Sequence, residues 1–236
     1  MRIELQHAYS LPPHMENYQE ATTRSLRDYS SQEIMSTRQE LESAYAHGLF
    51  GEDMLIGLSD TGIDVNSCFF YDPDHPVRFN SEEEDTKHRK IALYIPFSNN
   101  KEDGSEAHGT HVAGTLAGMV EGDNDLSPYD GIAYKSRIVF FDIGSGSGQE
   151  TTLETPRRIT YLIDAIYSAG ANVHSASWGS FSEVYSFDTS SIDNYVYPLA
   201  KRIIIIVGMN IPIVFSCLLQ ETTGKRGSQL RFSLSL

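Results

Sequence analysis

The sequence has few basic residues and almost no cysteine, and both shortages narrow the range of possible functions. Its 236 residues contain 18 lysines and arginines against 32 aspartates and glutamates, which gives a formal net charge of -14. A nucleic-acid-binding surface requires a basic patch, so this balance argues against a nucleic-acid partner. The two cysteines, Cys68 and Cys217, do not make a disulfide framework, and they leave their pairing and the cellular compartment open.

Long apolar runs are also scarce. Residues 1–7 lack the apolar stretch of a signal peptide, and the sequence has no Asn-X-Ser/Thr acceptor for glycosylation, so we assign no localisation. The apolar stretch 203–219 is short for a membrane span and holds Asn210 and Pro212 near its middle. We interpret it as a buried strand followed by a tail, and we expect no membrane partner.

The overall composition suits one α/β domain with appendages, since 40% of the residues are hydrophobic and 21% are charged. Residues 1–50 form a polar N-terminal segment with too few apolar residues for a core of its own. Residues 51–210 are expected to form the domain, and residues 211–236 an aberrant or disordered tail. Five apolar runs in the domain predict strands, at 54–58, 91–97, 137–143, after 171–173, and at 203–207.

These runs are continuous rather than alternating, which is typical of strands covered on both faces. Thr155 as a cap and Pro156 as the first helical residue predict a helix that ends at Gly170. Its buried stripe would consist of Ile159, Leu162, Ile163 and Ile166. A second helix is predicted over 192–202. Strand and helix in alternation predict a parallel sheet with right-handed crossovers and helices on both faces.

Asp60 is the first candidate catalytic residue. It directly follows the first predicted strand and precedes Thr61-Gly62, and sites in open α/β sheets form at the carboxyl ends of strands. A carboxylate there can orient an imidazole and stabilise its protonated form. Taken alone, Asp60 is better explained as a turn or cap residue of a loop, and Asp64 is a competing carboxylate.

His108 is the second candidate. It opens a segment whose apolar residues have helical spacing, namely Val112, Thr115, Leu116 and Met119. The glycines and alanines around it permit close packing, which gives the histidine the rigid support that a general base needs. His108 and His111 form a His-X-X-His pair, but the glutamate of a His-Glu-X-X-His zinc site is absent, so we predict no metal there.

These two segments resemble the boxes of a known enzyme family. The strings Leu58-Ser59-Asp60-Thr61-Gly62 and Ala107-His108-Gly109-Thr110-His111-Val112-Ala113-Gly114-Thr115 resemble the aspartate and histidine boxes of the subtilisin-like serine proteases, the subtilases. Three later segments match the family in the same order, at 131–134, 177–179 and 207–210. The resemblance covers about residues 50–210 and implies a subtilisin-like fold and the proteolysis of polypeptides.

The resemblance also implies roles for individual residues. Asp60 would orient His108, and His108 would act as the general base. Ser177, Trp178 and Gly179 would bind an extended polypeptide substrate by strand addition. Asn210 would help to stabilise the oxyanion, although Met209 stands where the family usually has glycine.

The third box of the family, a nucleophilic serine in a Gly-Thr-Ser-Met-Ala setting, is absent from the 236 residues. The serines after Asn210 all lack that context, and they are Ser216, Ser228, Ser233 and Ser235. We therefore predict a C-terminally truncated serine endopeptidase domain that is incomplete at the C-terminal end of its fold and inactive as this chain. The alternative is a non-catalytic remnant of the family that binds peptides or a partner. The oligomeric state stays open.

No organic cofactor is implied. The acidic loop 121–125 could bind Ca²⁺, as loops of the resembled family often do, but it fails the EF-hand pattern because Pro128 and Tyr134 occupy the positions of the glycine and the bidentate glutamate. A solvated loop is the simpler interpretation, so we predict no metal ligand.

Overall fold

The computed structural model describes residues 44–79, 81–97, 103–104, 107–122, 129–145, 152–179, 185–196 and 204–207. The statements below concern those residues. Most of the polar N-terminal segment, the tail 211–236 and Asn210 lie outside them. Within them, no helix has the length and apolar character needed to cross a bilayer.

The described residues include seven strands and three helices, and residues 44–46 are helical as well. The strands are β1 (Leu55–Asp60), β2 (Ile91–Pro96), β3 (Arg137–Asp142), β4 (Gly144–Ser145), β5 (Thr152–Leu153), β6 (Val173–Ala176) and β7 (Ile204–Val207). The helices are α1 (His108–Ala117), α2 (Ile159–Ser168) and α3 (Phe187–Val196).

Five strands form one parallel sheet in the order β2-β3-β1-β6-β7, and β4 and β5 make a short antiparallel pair. The parallel α/β fold expected from the sequence is confirmed, and all five predicted apolar runs contribute a strand. Strand β1 lies at the centre, paired with β3 on one side and β6 on the other. Asp60 and Asp142 are register partners at the carboxyl ends of β1 and β3.

Two helices cover opposite faces of this sheet. Ile138 and Phe140 of β3 belong to the core cluster that contains Ala113 and Ala117 of α1. The intervening Val139 and Phe141 belong to the second cluster, which contains the predicted stripe of α2. Because residues 138–141 of β3 pack alternately toward α1 and α2, this part of the sequence is continuously apolar rather than alternating.

The start of α2 differs from the prediction. The helix begins at Ile159 with Arg158 in the N-cap position, so the cap expected at Thr155 and the first-turn role expected of Pro156 are wrong. The backbone N–H of Glu154 donates to the carbonyl of Ile143 at 2.7 Å, which holds this stretch in extended pairing beyond β5. Gly170 does follow the helix, with a φ of 98°, as predicted.

The second predicted helix is also displaced. Helix α3 spans Phe187–Val196 and thus begins five residues before the predicted start at 192, while 197–202 lie outside the described residues.

Helix α1 lies close to the loop after β1. A Cβ atom at Gly109 would lie 2.2 Å from the carbonyl oxygen of Gly62 and 3.1 Å from the Cβ of Asp60. Only a residue without a side chain permits this approach, which brings the first turn of α1 against the carboxyl end of β1.

We predict that Gly109→Ala lowers the free energy of unfolding by about 2 kcal/mol, because the added methyl forces the helix away from backbone atoms. Gly114→Ala is the matched control in the same helix, since a Cβ there meets no atom within 4 Å. It should raise stability by about 0.5–1 kcal/mol through helix propensity. Urea unfolding followed by circular dichroism measures both variants, and an equal response at the two positions would contradict the packing argument.

Candidate active site

Asp60 and His108 meet at the carboxyl end of the central strand. Asp60 ends β1 and is fully buried, and His108 opens α1 with 4% of its surface exposed. The imidazole Nδ1 lies 2.6 Å from Oδ1 of Asp60. Since a carboxylate only accepts hydrogen bonds, Nδ1 carries the proton. This tautomer makes Nε2 the basic nitrogen, which is what a general base requires.

The Asp60 carboxylate is held by its neighbours in sequence and in space. The backbone N–H of Thr61 donates to Oδ1 of the carboxylate at 2.8 Å. The backbone carbonyl of Asp60 accepts from the backbone N–H of Ile143 at 3.0 Å, which fixes the main chain at this residue. The other carboxylate oxygen, Oδ2, is buried and has no hydrogen-bond partner among the described residues. The hydrogen bond to the imidazole is therefore the main interaction that offsets the desolvation of this buried carboxylate.

Asp142 is a second buried carboxylate at this edge of the sheet, and the sequence analysis missed it. The Tyr94 hydroxyl donates to its Oδ2 at 2.8 Å, and the Gly144 N–H donates to its Oδ1 at 2.9 Å. Burial raises the pKa of Asp142 to about 7, with the charges of Asp103 and Asp60 adding to the rise. Its position after an apolar strand, like that of Asp60, is the sequence signal that could have identified it.

Asp103, Thr61 and Thr110 are also absent from the sequence-based site. The Asp103 carboxylate accepts hydrogen bonds from both threonine hydroxyls. Burial raises the pKa of Asp103, the hydrogen bonds from Thr110 and Thr61 act in the opposite direction, and the charge of Asp60 adds to the rise. An aspartate five residues before a helix start offers only a weak sequence signal, because polar loops commonly carry such residues.

The segment Ser177-Trp178-Gly179 follows β6. The Trp178 indole is buried, and its Nε1–H donates to the carbonyl of Ser59 at 2.8 Å, which fixes the segment beside β1. A Cβ at Gly179 would meet no atom of the described residues within 4 Å, and Gly179 itself stands in a β-bridge. The indole thus anchors the segment, and substrate binding by these three residues stays a prediction.

His174, a residue of β6, is another buried histidine. The His174 Nε2 and the Ser59 hydroxyl are 2.9 Å apart, and Nδ1 of His174 has no hydrogen-bond partner among the described residues. Burial lowers the pKa of this imidazole from 6.5 to about 3. His174 is therefore neutral in the folded chain at neutral pH, and it joins β6 to β1 one residue before Asp60.

The remaining sequence-based predictions concern a metal site and Asn210. No group of three potential metal ligands occurs within the described part of the chain, and residues 123–128 of the acidic loop lie outside that part. Asn210 lies outside it as well, so its role at the oxyanion stays a prediction.

Comparisons with known proteins identify the family. The family model described as the subtilase family matches residues 51–209. The serine protease/ABC transporter B family proteins tagB and tagD of Dictyostelium discoideum are each 36% identical over 183 residues, which cover 75% of this chain. The match covers only 9% and 10% of those relatives, so the chain spans about a tenth of their length.

Solved protease structures are similar at lower identity. The CspB protease of Clostridium perfringens has a TM-score of 0.47 and 23% identity, with 71% of this chain and 38% of that chain covered. The prenylagaramide maturation protease PagA has a TM-score of 0.46 and 18% identity, with 71% and 49% covered.

We predict that His174 makes the chain sensitive to acid. The folded pKa lies below the unfolded one, so stability is complete above about pH 6.5 and is lost as the pH falls toward about 3, by about 5 kcal/mol in total. His174→Gln keeps a hydrogen-bond partner for Ser59 but does not titrate. The stability of this variant relative to wild type should therefore rise as the pH falls from about 6.5 toward about 3. Chemical denaturation at successive pH values measures the difference, with exposed His111→Gln as the control. If the difference in unfolding free energy between His174→Gln and wild type did not change with pH, the low pKa of His174 would be contradicted.

Proposed function

Because the chain belongs to the subtilase family of serine proteases, we propose that it forms the Asp–His part of a serine endopeptidase site. The observation that carries this proposal is the 2.6 Å contact between Asp60 Oδ1 and His108 Nδ1. It joins two residues 48 positions apart, and it does so at the sheet edge where α/β enzymes place their sites.

The chemistry follows from the tautomer. Asp60 holds His108 with Nε2 as the basic nitrogen, and Nε2 would remove the proton from an attacking serine hydroxyl. The serine oxygen would bond to the carbonyl carbon of the peptide, and the proton would pass from the imidazolium to the leaving amine. The Asp60 carboxylate stabilises the positive imidazolium between these steps. Asn210 is proposed as a donor to the oxyanion.

The polypeptide would bind in extended form along residues 177–179. The indole anchor of Trp178 on the Ser59 carbonyl supports this proposal, because it fixes the segment beside β1. A segment held in place in this way suits backbone hydrogen bonding to an extended peptide.

The nucleophile is the missing component. The 236 residues hold no serine in a Gly-Thr-Ser-Met-Ala setting, so we propose that this chain alone is catalytically inactive. The same observation favours the second candidate function, a non-catalytic module that binds extended peptides along residues 177–179.

We predict that a fluorophosphonate probe, which reacts with activated serines, does not label the 236-residue chain. A chain extended past Asn210 by coding sequence that supplies the Gly-Thr-Ser box should be labelled stoichiometrically. His108→Ala in that longer chain should slow labelling by up to about 10⁶-fold, because triad members act as a unit. His111→Ala is the matched control on the same helix.

Two results would count against this account. Stoichiometric, His108-dependent labelling of the 236-residue chain would show that it holds its own nucleophile. Failure of the folded longer chain to react, combined with binding of an extended peptide, would favour the non-catalytic module.

A further inference from the structure

Helix α1 begins without the usual cap. Ala107 occupies the N-cap position in a left-handed conformation, φ 50° and ψ 33°, and makes no side-chain capping bond. The first N–H groups of a helix need acceptors from elsewhere. The Gly109 N–H donates to the Thr61 hydroxyl at 2.9 Å, and the Thr110 N–H donates to Oδ2 of Asp103 at 2.7 Å. Thr61 and Asp103, which lie outside the helix, therefore cap α1.

Asp103 also links Thr61 to Thr110. Its Oδ1 accepts the Thr61 hydroxyl at 2.6 Å, and its Oδ2 accepts the Thr110 hydroxyl at 2.6 Å. Each hydroxyl donates once to Asp103 and accepts once from a backbone N–H, since Thr110 also accepts from Asp64 at 2.8 Å. We call Asp103, Thr61 and Thr110 the carboxylate bridge.

The bridge ends beside both members of the Asp–His pair. Thr61 directly follows Asp60, and its own N–H donates to the Asp60 carboxylate. Thr110 lies two residues after His108 in the first turn of α1. A shift of α1 relative to the loop after β1 would break the hydrogen bonds of the bridge together with the contact between His108 and Asp60.

We propose that Asp103 is a positioning residue that holds the His108 imidazole against Asp60 through Thr61 and Thr110. The bridge fixes the tautomer and orientation of His108 and touches neither substrate nor reacting atoms. This inference rests on the proposed function only for the use of the pair in catalysis, because the geometry is present in the 236-residue chain, which has no Gly-Thr-Ser-Met-Ala box.

The test uses the 236-residue chain with ¹⁵N-labelled histidine. The sequence has eight histidines, and His108→Gln identifies the resonances of His108. Nuclear magnetic resonance then gives the tautomer from the two nitrogen shifts and the exchange rate of the Nδ1 proton with solvent. Neither readout depends on protease activity, so its failure is distinguishable from failure of the proposed function.

Asp103→Ala should increase Nδ1 proton exchange by about tenfold, the factor expected from losing one net hydrogen bond, and should shift the nitrogens toward a tautomer mixture. Asp103→Asn keeps one acceptor oxygen and should be intermediate. The matched control is Asp72→Ala, because Asp72 also accepts several backbone N–H bonds, from Asp74, His75 and Arg89. Asp72→Ala should lower stability and leave both His108 readouts unchanged.

The proposal is overturned if Asp103→Ala leaves His108 as in wild type, or if Asp72→Ala alters it equally. Should Asp103→Ala fail to fold, Thr110→Val and Thr110→Ser decide the question. The serine variant keeps the hydroxyl and should match wild type, while the valine variant should exchange faster. Equal exchange rates in these two variants would overturn the proposal.

Discussion

The hydrogen bond between Asp60 and His108 determines how the two halves of the site are assembled. Asp60 is buried at the end of the central strand, where an ionised carboxylate without a partner would be strongly destabilising. The imidazole must therefore reach it, and α1 must begin close to the loop after β1. Gly109 makes that approach sterically possible, and the carboxylate bridge supplies the hydrogen bonds that the first turn of the helix would otherwise lack.

Three buried or part-buried aspartates lie close together at the carboxyl ends of the strands, in a chain that is already acidic. Asp60, Asp103 and Asp142 lie near enough for their charges to affect one another, since the charges of Asp103 and Asp60 raise the pKa of Asp142. Each carboxylate accepts hydrogen bonds, Asp60 from His108 and Thr61, Asp103 from two threonines, and Asp142 from Tyr94 and Gly144. Of the three, Asp60 contacts the imidazole directly, and in the proposed mechanism it would stabilise the imidazolium at His108.

The sequence was sufficient for features that depend on local patterns. Asp60 after an apolar run and His108 before a helical stripe could be placed at one edge because parallel strands end together. Features that depend on chain path could not be predicted. Thr155 and Pro156 are strong local helix signals, yet pairing of Glu154 with Ile143 overrides them. The loop that carries Asp103 has no periodicity, and nothing local shows that the indole of Trp178 points into the sheet.

The central claim is that this chain forms the Asp–His pair although its sequence has no serine in a Gly-Thr-Ser-Met-Ala setting. A double-mutant cycle on the 236-residue chain tests it most directly, with Asp60→Asn, His108→Gln and the double variant unfolded in urea at neutral pH. If the pair is formed, the two substitutions should be coupled by at least about 1 kcal/mol. Additive effects within about 0.3 kcal/mol would show that the two side chains do not interact, and would contradict the account.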